Sequence, residues 1–427
     1  MSEARPIRTI GIGGAILIAT NGMVGTGIFA LPGKLDAAVG NFAPLLLLVA
    51  GLGFVCIALS YADCARHFSG SGGPILYVGT AFGQFAGFLI GWLNYISRAA
   101  AQAANANIVV LTAAALFPAT AGPFGKPIIL VLLFGALTAL NVLGVRKALA
   151  ALAGITALKL APLVILALAA LATFGAGPTP DIPPLADTAS VALIALYAFT
   201  GFEIGSIAAG ETANPRRALP IALVGTVVAV GLLYVLVQWA YSASDPINSD
   251  APLVALAQRL GGAAAGFAIG LTVLISVVGG ITVAILGGSR MTVGMAEEGM
   301  IPARFAVFSP RFATPIFSIL FFGMFALFLA LSGSFVFLAV VSTLARLASY
   351  FGCILAAPRL DRMFAAPRAW PHRLLFPAVA GLLCLWAASQ SKASEWRSLA
   401  LFVAIGAALY LIAARKDPWT PSPPPTA

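Results

Sequence analysis

A cluster of glycines interrupts the first apolar run of this chain and constrains the fold more than any other feature. The run covers residues 7–31, which at about 25 residues is long enough to cross a bilayer. Its middle, ATNGMVGTGIFALPG at 19–33, contains Gly22, Gly25 and Gly27. Each glycine weakens a helix by about 1 kcal/mol, and backbone groups released at that depth are costly unless a partner satisfies them. The sequence therefore predicts a broken membrane helix at a place where a polar group binds.

The composition identifies the bilayer as the main solvent of the chain. Of its 427 residues 60% are hydrophobic and only 9% are charged, and the mean hydropathy is +1.01. These values exclude a set of soluble domains and indicate a polytopic membrane protein. The first apolar run is too long for a cleavable signal, so we expect it to remain as a transmembrane helix.

Apolar runs of membrane length recur along the whole chain. Twelve can be counted, at residues 7–31, 42–66, 80–117, 127–145, 148–174, 188–210, 217–243, 261–296, 314–332, 334–357, 374–390 and 397–414. The third and the eighth are too long for one straight span, so we expect each to tilt or to continue beyond the bilayer. The tail at 416–427 is rich in proline, and we predict a disordered cytoplasmic segment there.

The basic residues are distributed unevenly between the two sides of the membrane. If the apolar runs are helices, sixteen lysines and arginines fall in the loop regions of one side, and the other side holds five, namely Lys34, Lys126, Arg259, Lys392 and Arg397. The richer side is cytoplasmic by the positive-inside rule, which puts both termini in the cytoplasm. The net charge of +10 thus reports topology and not a nucleic-acid partner. We expect a multi-pass protein of the bacterial cytoplasmic (inner) membrane.

The cysteines and histidines indicate neither a disulfide nor a metal site. The four cysteines lie in or beside apolar segments without paired spacing, so we interpret them as packing residues. The two histidines, His67 and His372, fall in regions predicted to be cytoplasmic loops. We therefore expect no bound metal and no cofactor.

The sixth segment carries a second interruption. In LYAFTGFEIGSIAAGETANPRRALP the residues Thr200 and Gly201 break the apolar run near mid-depth. Interrupted helices five segments apart are typical of transporters built from two inverted five-helix repeats, with the binding site between the breaks. We therefore predict a first repeat at 1–175, a second repeat at 188–358, and helices eleven and twelve at 374–414 outside both.

Short motifs occur in a fixed order along segments one to ten. GTGIF precedes Pro32 in the first, GFE precedes NPRRALPIA in the sixth, and SGGP, NVLGVRKA and AEEGMIPARFA occur in the loops. This ordered set resembles the motifs of the amino acid–polyamine–organocation (APC) transporter superfamily, which has the LeuT fold. The resemblance implies an all-α membrane protein of about 12 transmembrane helices, with a 5+5 inverted repeat, broken helices 1 and 6, and two extra C-terminal helices.

The resemblance also implies how the two breaks bind a substrate. A helix that begins at the first break directs its amide groups at a carboxylate, and carbonyls at the second break accept an ammonium group. The amide groups for the carboxylate belong to Gly25, Thr26 and Gly27. The carbonyl groups for the ammonium belong to Ala198, Phe199 and Thr200. We add as substrate-binding candidates Asn21, Arg98, Gln102, Tyr197, Gly201 and Ile281. The alternative is a packing interface in which glycines let two helices approach closely.

Two positions depart from the arginine/agmatine antiporters that are similar to this chain. Those proteins place tryptophans on the sixth and eighth helices, where this sequence has Tyr197 and Ile281. The tryptophans help to sandwich a long cationic side chain, so their absence argues against that substrate.

Lys159 lies about halfway along the fifth segment, where a charge is costly. In sodium-coupled relatives of this fold a cation bridges the first and eighth helices, and in some proton-coupled or exchanging relatives a lysine of the fifth helix takes its place. We therefore expect Lys159 to replace sodium, to stabilise the first break, and to titrate during transport. The alternative is a lysine that extends to the cytoplasmic surface.

Glu203 is the only carboxylate that we place deep in the membrane. We expect it to gate the site, to carry a proton, or to pair with a buried cation, for which Arg98 and Arg346 are available. A structural Arg–Glu pair is an equal alternative to gating. If Arg98 lies near the site, it repels cationic substrates and favours neutral or acidic ones.

These features together predict a secondary active transporter that moves neutral amino acids by alternating access. The driving mode is proton symport or exchange with a counter-substrate, and the protein works in the lipid bilayer as a monomer or homodimer. The nearer alternative is an antiporter of cationic amino acids or polyamines. A channel would show a continuous polar helix face, and an intramembrane enzyme would show HExxH, an aspartate pair or a Ser/Lys dyad at membrane depth.

Overall fold

Helices joined by short loops make up the part of the chain that the structure, a computed structural model, describes: residues 11–25, 27–68, 73–143, 148–207, 212–245, 249–365 and 371–414. Eight stretches of this part are long and apolar enough to cross a bilayer, and four further apolar helices are shorter. The predicted all-α membrane fold is therefore confirmed. The tail at 416–427 lies outside the described residues.

The first five predicted segments correspond to seven helices. These are α1 (Ile12–Met23), α2 (Gly27–Val39), α3 (Ala43–Ala65), α4 (Pro74–Phe82), α5 (Gln84–Leu116), α6 (Gly125–Leu143) and α7 (Ala148–Phe174). The first segment is broken between α1 and α2, as the glycines predict.

The remaining segments correspond to eight helices. These are α8 (Leu185–Phe199), α9 (Ile204–Ile207), α10 (Pro215–Ala243), α11 (Pro252–Glu297), α12 (Ile316–Ser332), α13 (Phe335–Met363), α14 (Phe376–Ser389) and α15 (Ala393–Ala414). The sixth segment is broken between α8 and α9, which confirms the second predicted interruption.

The first segment continues beyond its predicted end at residue 31, because α2 extends to Val39. The prediction stopped where charged side chains begin, but both of them have partners. Lys34 Nζ lies 3.1 Å from Asp250 Oδ1, and Ser242 Oγ donates a hydrogen bond of 2.6 Å to Asp36. Charges that end an apolar run therefore do not end the helix when a neighbouring helix or loop supplies their partners.

Glycines lie near the start of the third and eighth predicted segments, and the helices that follow these glycines stay long, so the expected tilt or extension beyond the bilayer stays a prediction. Gly83 has φ of 96° and separates α4 from α5. In α11, Gly261 and Gly262 are non-helical, with φ of 71° at Gly262, so this helix bends near its start. A positive φ is accessible to glycine at little cost, so each long run becomes a short helix followed by a long one.

The two interrupted helices lie side by side at the centre of the fold. The half-helix α1 packs against α9, and α2 packs against α8. The long helices α3, α5, α10 and α13 surround them, with α10 packed along α3 and α13 packed along α5. This arrangement places both breaks inside the protein, where lipid cannot reach their unpaired backbone groups.

The two breaks touch through glycine backbones. A Cβ atom added at Gly22 would stand 2.6 Å from the carbonyl oxygen of Gly201. A Cβ atom at Gly201 would overlap the Gly22 carbonyl, and Gly201 also has φ of 109°. Only a residue without a side chain lets the chains approach this closely.

We expect Gly22→Ala to lower the free energy of unfolding by about 1–3 kcal/mol, because the added methyl group overpacks this contact. Gly135→Ala is the matched control, since Gly135 lies in α6 with open space around its Cβ position. Thermal denaturation of the purified proteins in detergent measures both effects. Equal denaturation temperatures for the two variants would contradict the role of the contact.

Candidate functional site

The first break is a short turn in which α1 ends and α2 begins almost at once. The Val24 amide donates to Thr20 O at 2.8 Å, and the Gly25 amide donates to Met23 O at 2.8 Å. Gly27 is the first residue of α2. Thr26, a predicted carboxylate ligand, lies outside the described residues.

Lys159 of α7 donates hydrogen bonds into this turn. Its Nζ atom lies 2.8 Å from Asn21 Oδ1 and 2.9 Å from the Val24 carbonyl oxygen, with the Asn21 carbonyl oxygen at 3.5 Å. The residue is only 2% exposed. The ammonium group therefore neutralises carbonyl dipoles that α1 leaves without donors where it ends. This geometry agrees with the predicted brace and not with a lysine that extends to the surface.

Two further side chains complete the polar contacts of this break. Asn21 Nδ2 donates to Thr156 Oγ1 at 2.7 Å, and Tyr234 OH donates to Met23 O at 2.9 Å. The side chain of Asn21 thus contacts α7, so its predicted contact with a substrate stays a prediction. Sequence analysis did not single out Thr156 or Tyr234. Thr156 could have been identified from its position three residues before Lys159, on the same helical face. No sequence pattern of this kind marks Tyr234.

The predicted contact with a substrate carboxylate falls at the start of α2. Its first amide groups have no acceptor within the helix, and the helix dipole makes this end partly positive. Gly27 packs against α8, since its Cβ would stand 3.3 Å from Ala198 Cα. The structure therefore brings together Gly27 and Ala198, two residues assigned by sequence to opposite ends of the substrate.

The second break exposes the carbonyl end of α8. Thr200 turns back on this helix, where its Oγ1 atom donates to Tyr197 O at 2.8 Å and its amide to the same oxygen at 3.2 Å. The other carbonyls of the last turn, including those of Ala198 and Phe199, have no intrahelical donors by helix geometry. The side chain of Phe199 is fully buried, with its ring centroid 5.4 Å from that of Phe54. Any role of Phe199 in binding therefore belongs to its backbone.

Glu203 pairs with Arg346 of α13. The Oε1–Nη1 distance is 3.0 Å, and both residues are 6% exposed. The other carboxylate oxygen accepts hydrogen bonds from Tyr350 OH at 2.8 Å and from the Gly201 amide at 3.0 Å. Of the alternatives open at sequence level, the structure shows the buried Arg–Glu pair. The same contacts join the second break to α13.

Residues of α5 and α8 form a wall beside the first break. Tyr197 OH donates to Asn105 Oδ1 at 3.0 Å, and Asn105 Nδ2 donates to Gln102 Oε1 at 3.1 Å. Asn105 also faces Gly25, whose Cβ position is 3.9 Å from its Nδ2 atom. Gln102 and Tyr197 thus lie beside the first break, and their contact with a substrate stays a prediction. Ile281 of α11 is fully buried, and its contact with a substrate stays a prediction.

Arg98 lies on α5, four residues before Gln102. Within the described ranges it forms no ion pair or hydrogen bond, and its Nε atom is buried without a partner. Its Nη1 atom lies 3.5 Å from the Cβ position of Gly287 on α11. Arg346, and not Arg98, neutralises Glu203.

Comparison with known proteins matches this chain to permeases and transporters. The family model of amino acid permeases matches residues 10–414. The methylthioribose transporter of Bacillus subtilis (strain 168) is 22% identical over 433 residues, which cover 96% of this chain and 94% of the relative. The branched-chain amino acid permease BcaP of the same organism is 25% identical over 447 residues, which cover 96% and 93%.

A solved structure of similar fold is that of the Eremococcus coleocola manganese transporter in complex with an aromatic bis-isothiourea substituted compound. It has a TM-score of 0.62 and 13% sequence identity, and the alignment covers 97% of both chains. At this identity the likeness concerns the fold, which is that of a LeuT-type transporter.

We expect Lys159→Ala to loosen the first break, because two acceptors lose their donor. Each unsatisfied acceptor should lower the free energy of local opening by about 1–3 kcal/mol. Amide hydrogen exchange in residues 20–25 should therefore be faster by about tenfold or more. Lys126→Ala is the matched control, since Lys126 Nζ also donates to a backbone carbonyl, that of Gly333, at 3.1 Å, but outside the site. Exchange followed by mass spectrometry measures both, and unchanged exchange in the Lys159 variant would contradict the brace.

We expect Glu203→Gln to destabilise the protein by about 3–5 kcal/mol, because Arg346 keeps its buried charge without a counter-charge. Adding Arg346→Met should recover part of this loss. Asp250→Asn, which removes the exposed pair with Lys34, should cost less than about 1 kcal/mol. Thermal or denaturant unfolding of the wild type, the Glu203→Gln and Arg346→Met single variants, their double variant and Asp250→Asn measures these differences. Additive effects of the Glu203 and Arg346 substitutions would show that the pair contributes nothing.

Proposed function

The chain belongs to the amino acid permease family, and from this premise we propose that it transports neutral amino acids across the membrane by alternating access. The pairing of the two breaks carries this proposal. The amide end of α2 and the carbonyl end of α8 meet at Gly27 and Ala198, whose nearest Cβ-to-Cα approach would be 3.3 Å. A zwitterion offers a carboxylate to the first and an ammonium to the second.

The proposed driving mode is proton symport or exchange with a counter-substrate. Lys159 supports it, because its ammonium occupies the carbonyl turn of the first break at 2.8 and 2.9 Å from two oxygens. In this position the ammonium group takes the structural role of a coupling cation, and its loss or gain of a proton during the cycle would couple transport to a proton gradient. The protein needs no cofactor for this cycle and carries out no enzymatic reaction.

We further propose two inverted repeats, at 1–175 and 188–358, each of which begins with an interrupted helix. The remaining helices at 374–414 would lie outside the repeats. Orientation with both termini in the cytoplasm of a bacterial inner membrane follows from the excess of basic residues on one side. The ion pair between Lys34 of α2 and Asp250, in the loop before α11, supports this topology, because it places the two residues on the same side of the membrane. The working unit is a monomer or homodimer.

An antiporter of cationic amino acids or polyamines is the nearer alternative. A carboxylate directed into the site would favour such a substrate, and among the described residues around the two breaks that carboxylate is Glu203. Both oxygens of Glu203 are already engaged, by Arg346 at 3.0 Å and by Tyr350 at 2.8 Å. The geometry therefore favours neutral substrates over cationic ones.

Uptake into proteoliposomes tests the proposal. We expect time-dependent uptake of at least one radiolabelled neutral amino acid from a panel of alanine, leucine, methionine and glutamine. An inwardly directed proton gradient, or unlabelled substrate inside, should stimulate it. Liposomes without protein are the control, and lysine, putrescine and methylthioribose are assayed in parallel.

Each alternative has its own outcome in this assay. Uptake of lysine or putrescine in preference to the neutral amino acids would favour the cationic antiporter. Uptake of methylthioribose alone would indicate a site that does not use a carboxylate. No uptake of any amino acid under any gradient would falsify the proposal.

A further inference from the structure

Positive charge exceeds negative charge around the two breaks. Among the described residues at this depth, Lys159, Arg98 and Arg346 are basic and Glu203 is acidic. Arg346 and Glu203 neutralise each other at 3.0 Å. Lys159 contacts carbonyl and amide oxygens, which satisfy its hydrogen bonds without cancelling its charge. Any substrate that enters the site therefore experiences a net positive field.

Arg98 is the charge in this group that the fold leaves without a partner in the described ranges. Its Nε atom is buried and makes no hydrogen bond. Arg98 as a whole is partly exposed, so only its Nε atom bears the cost of a buried polar atom without a partner. An ionisable group at membrane depth usually serves function. The structural contacts that hold α5 in place use other residues, such as Ser97, whose Oγ atom accepts a hydrogen bond from Arg346 Nε at 2.8 Å. The packing of α5 against its neighbours therefore does not explain why residue 98 is a cation.

The position of Arg98 relates it directly to the proposed binding site. Arg98, Gln102 and Asn105 recur at helical spacing on one face of α5, and Asn105 faces the first break. Seven residues separate Arg98 from Asn105, a rise of about 10 Å. The guanidinium group has room there because the facing residue of α11 is Gly287, whose Cβ position lies 3.5 Å from Nη1. A substrate bound at the first break, beside Asn105, would therefore lie about 10 Å along α5 from Arg98.

We propose that Arg98 determines the charge of the substrates that the site accepts. It excludes amino acids with a cationic side chain and admits those with a neutral or acidic one. The reason is electrostatic, because two like charges about 10 Å apart in a protein interior still repel strongly enough to change affinity about tenfold. This inference rests on the proposed function, since it concerns the specificity of the same site.

Competition between matched ligands tests the inference. The tracer is the neutral amino acid taken up fastest in the panel above, and the competitors are norleucine and lysine, which share the same stem and differ in the terminal ammonium. The wild-type protein should prefer norleucine. Arg98→Gln should reduce this preference about tenfold, whereas Arg98→Lys, which keeps the charge, should preserve most of it.

A second ligand pair and a control variant isolate the effect of the charge. Glutamine and glutamate should respond in the opposite direction, because Arg98→Gln removes an attraction for the second carboxylate. Arg290→Gln removes an exposed arginine from α11, and both ratios should stay at wild-type values in this protein. If Arg98→Gln does not transport, tracer binding to the detergent-solubilised protein gives the same ratios.

The outcomes separate this inference from the proposed function. Uptake of a neutral amino acid with equal competition by lysine and norleucine would overturn the inference and leave the function intact. Unchanged ratios in Arg98→Gln would do the same. Absence of uptake of all amino acids by the wild-type protein would overturn both.

Discussion

One buried ammonium group holds the interrupted first helix together, and the central architecture depends on it. Lys159 donates to Val24 O and to the side chain of Asn21 where α1 ends. The bilayer interior supplies no water to these acceptors, so each would cost about 1–3 kcal/mol without a donor. Because this cation belongs to the chain, we propose that it replaces an added ion at the break. The amide groups at the start of α2 are then left for a ligand.

The second break is positioned by the first and by a buried ion pair. Gly22 and Gly201 let the two backbones meet. Glu203 then accepts a hydrogen bond from the Gly201 amide and pairs with Arg346 on α13. Alternating access requires the half-helices to move relative to the surrounding helices, and discrete contacts of this kind are the ones that such a movement exchanges. We therefore propose that substrate affinity and conformational change depend on the same few residues.

The structure separates the roles of the buried basic residues, which the sequence identified without assigning their partners. Arg346 neutralises Glu203 at 3.0 Å, and Lys159 satisfies the first break. This leaves Arg98, one helical turn from Gln102, as the cation that acts on the substrate. A site with net positive charge suits the carboxylate of an amino acid and opposes a second ammonium group.

Much of the fold was predictable from sequence because hydropathy and glycine content act locally. The apolar runs, both breaks and the buried position of Lys159 follow from residues adjacent in the chain. The extension of α2 to Val39 and the choice of Arg346 as the partner of Glu203 do not. Nor do the contacts of Asn21 with α7 and of Gly22 with Gly201. Each of these depends on which helices pack together and at what depth. Only the tertiary structure decides that, because an ion pair or a close backbone contact joins residues that are far apart in sequence.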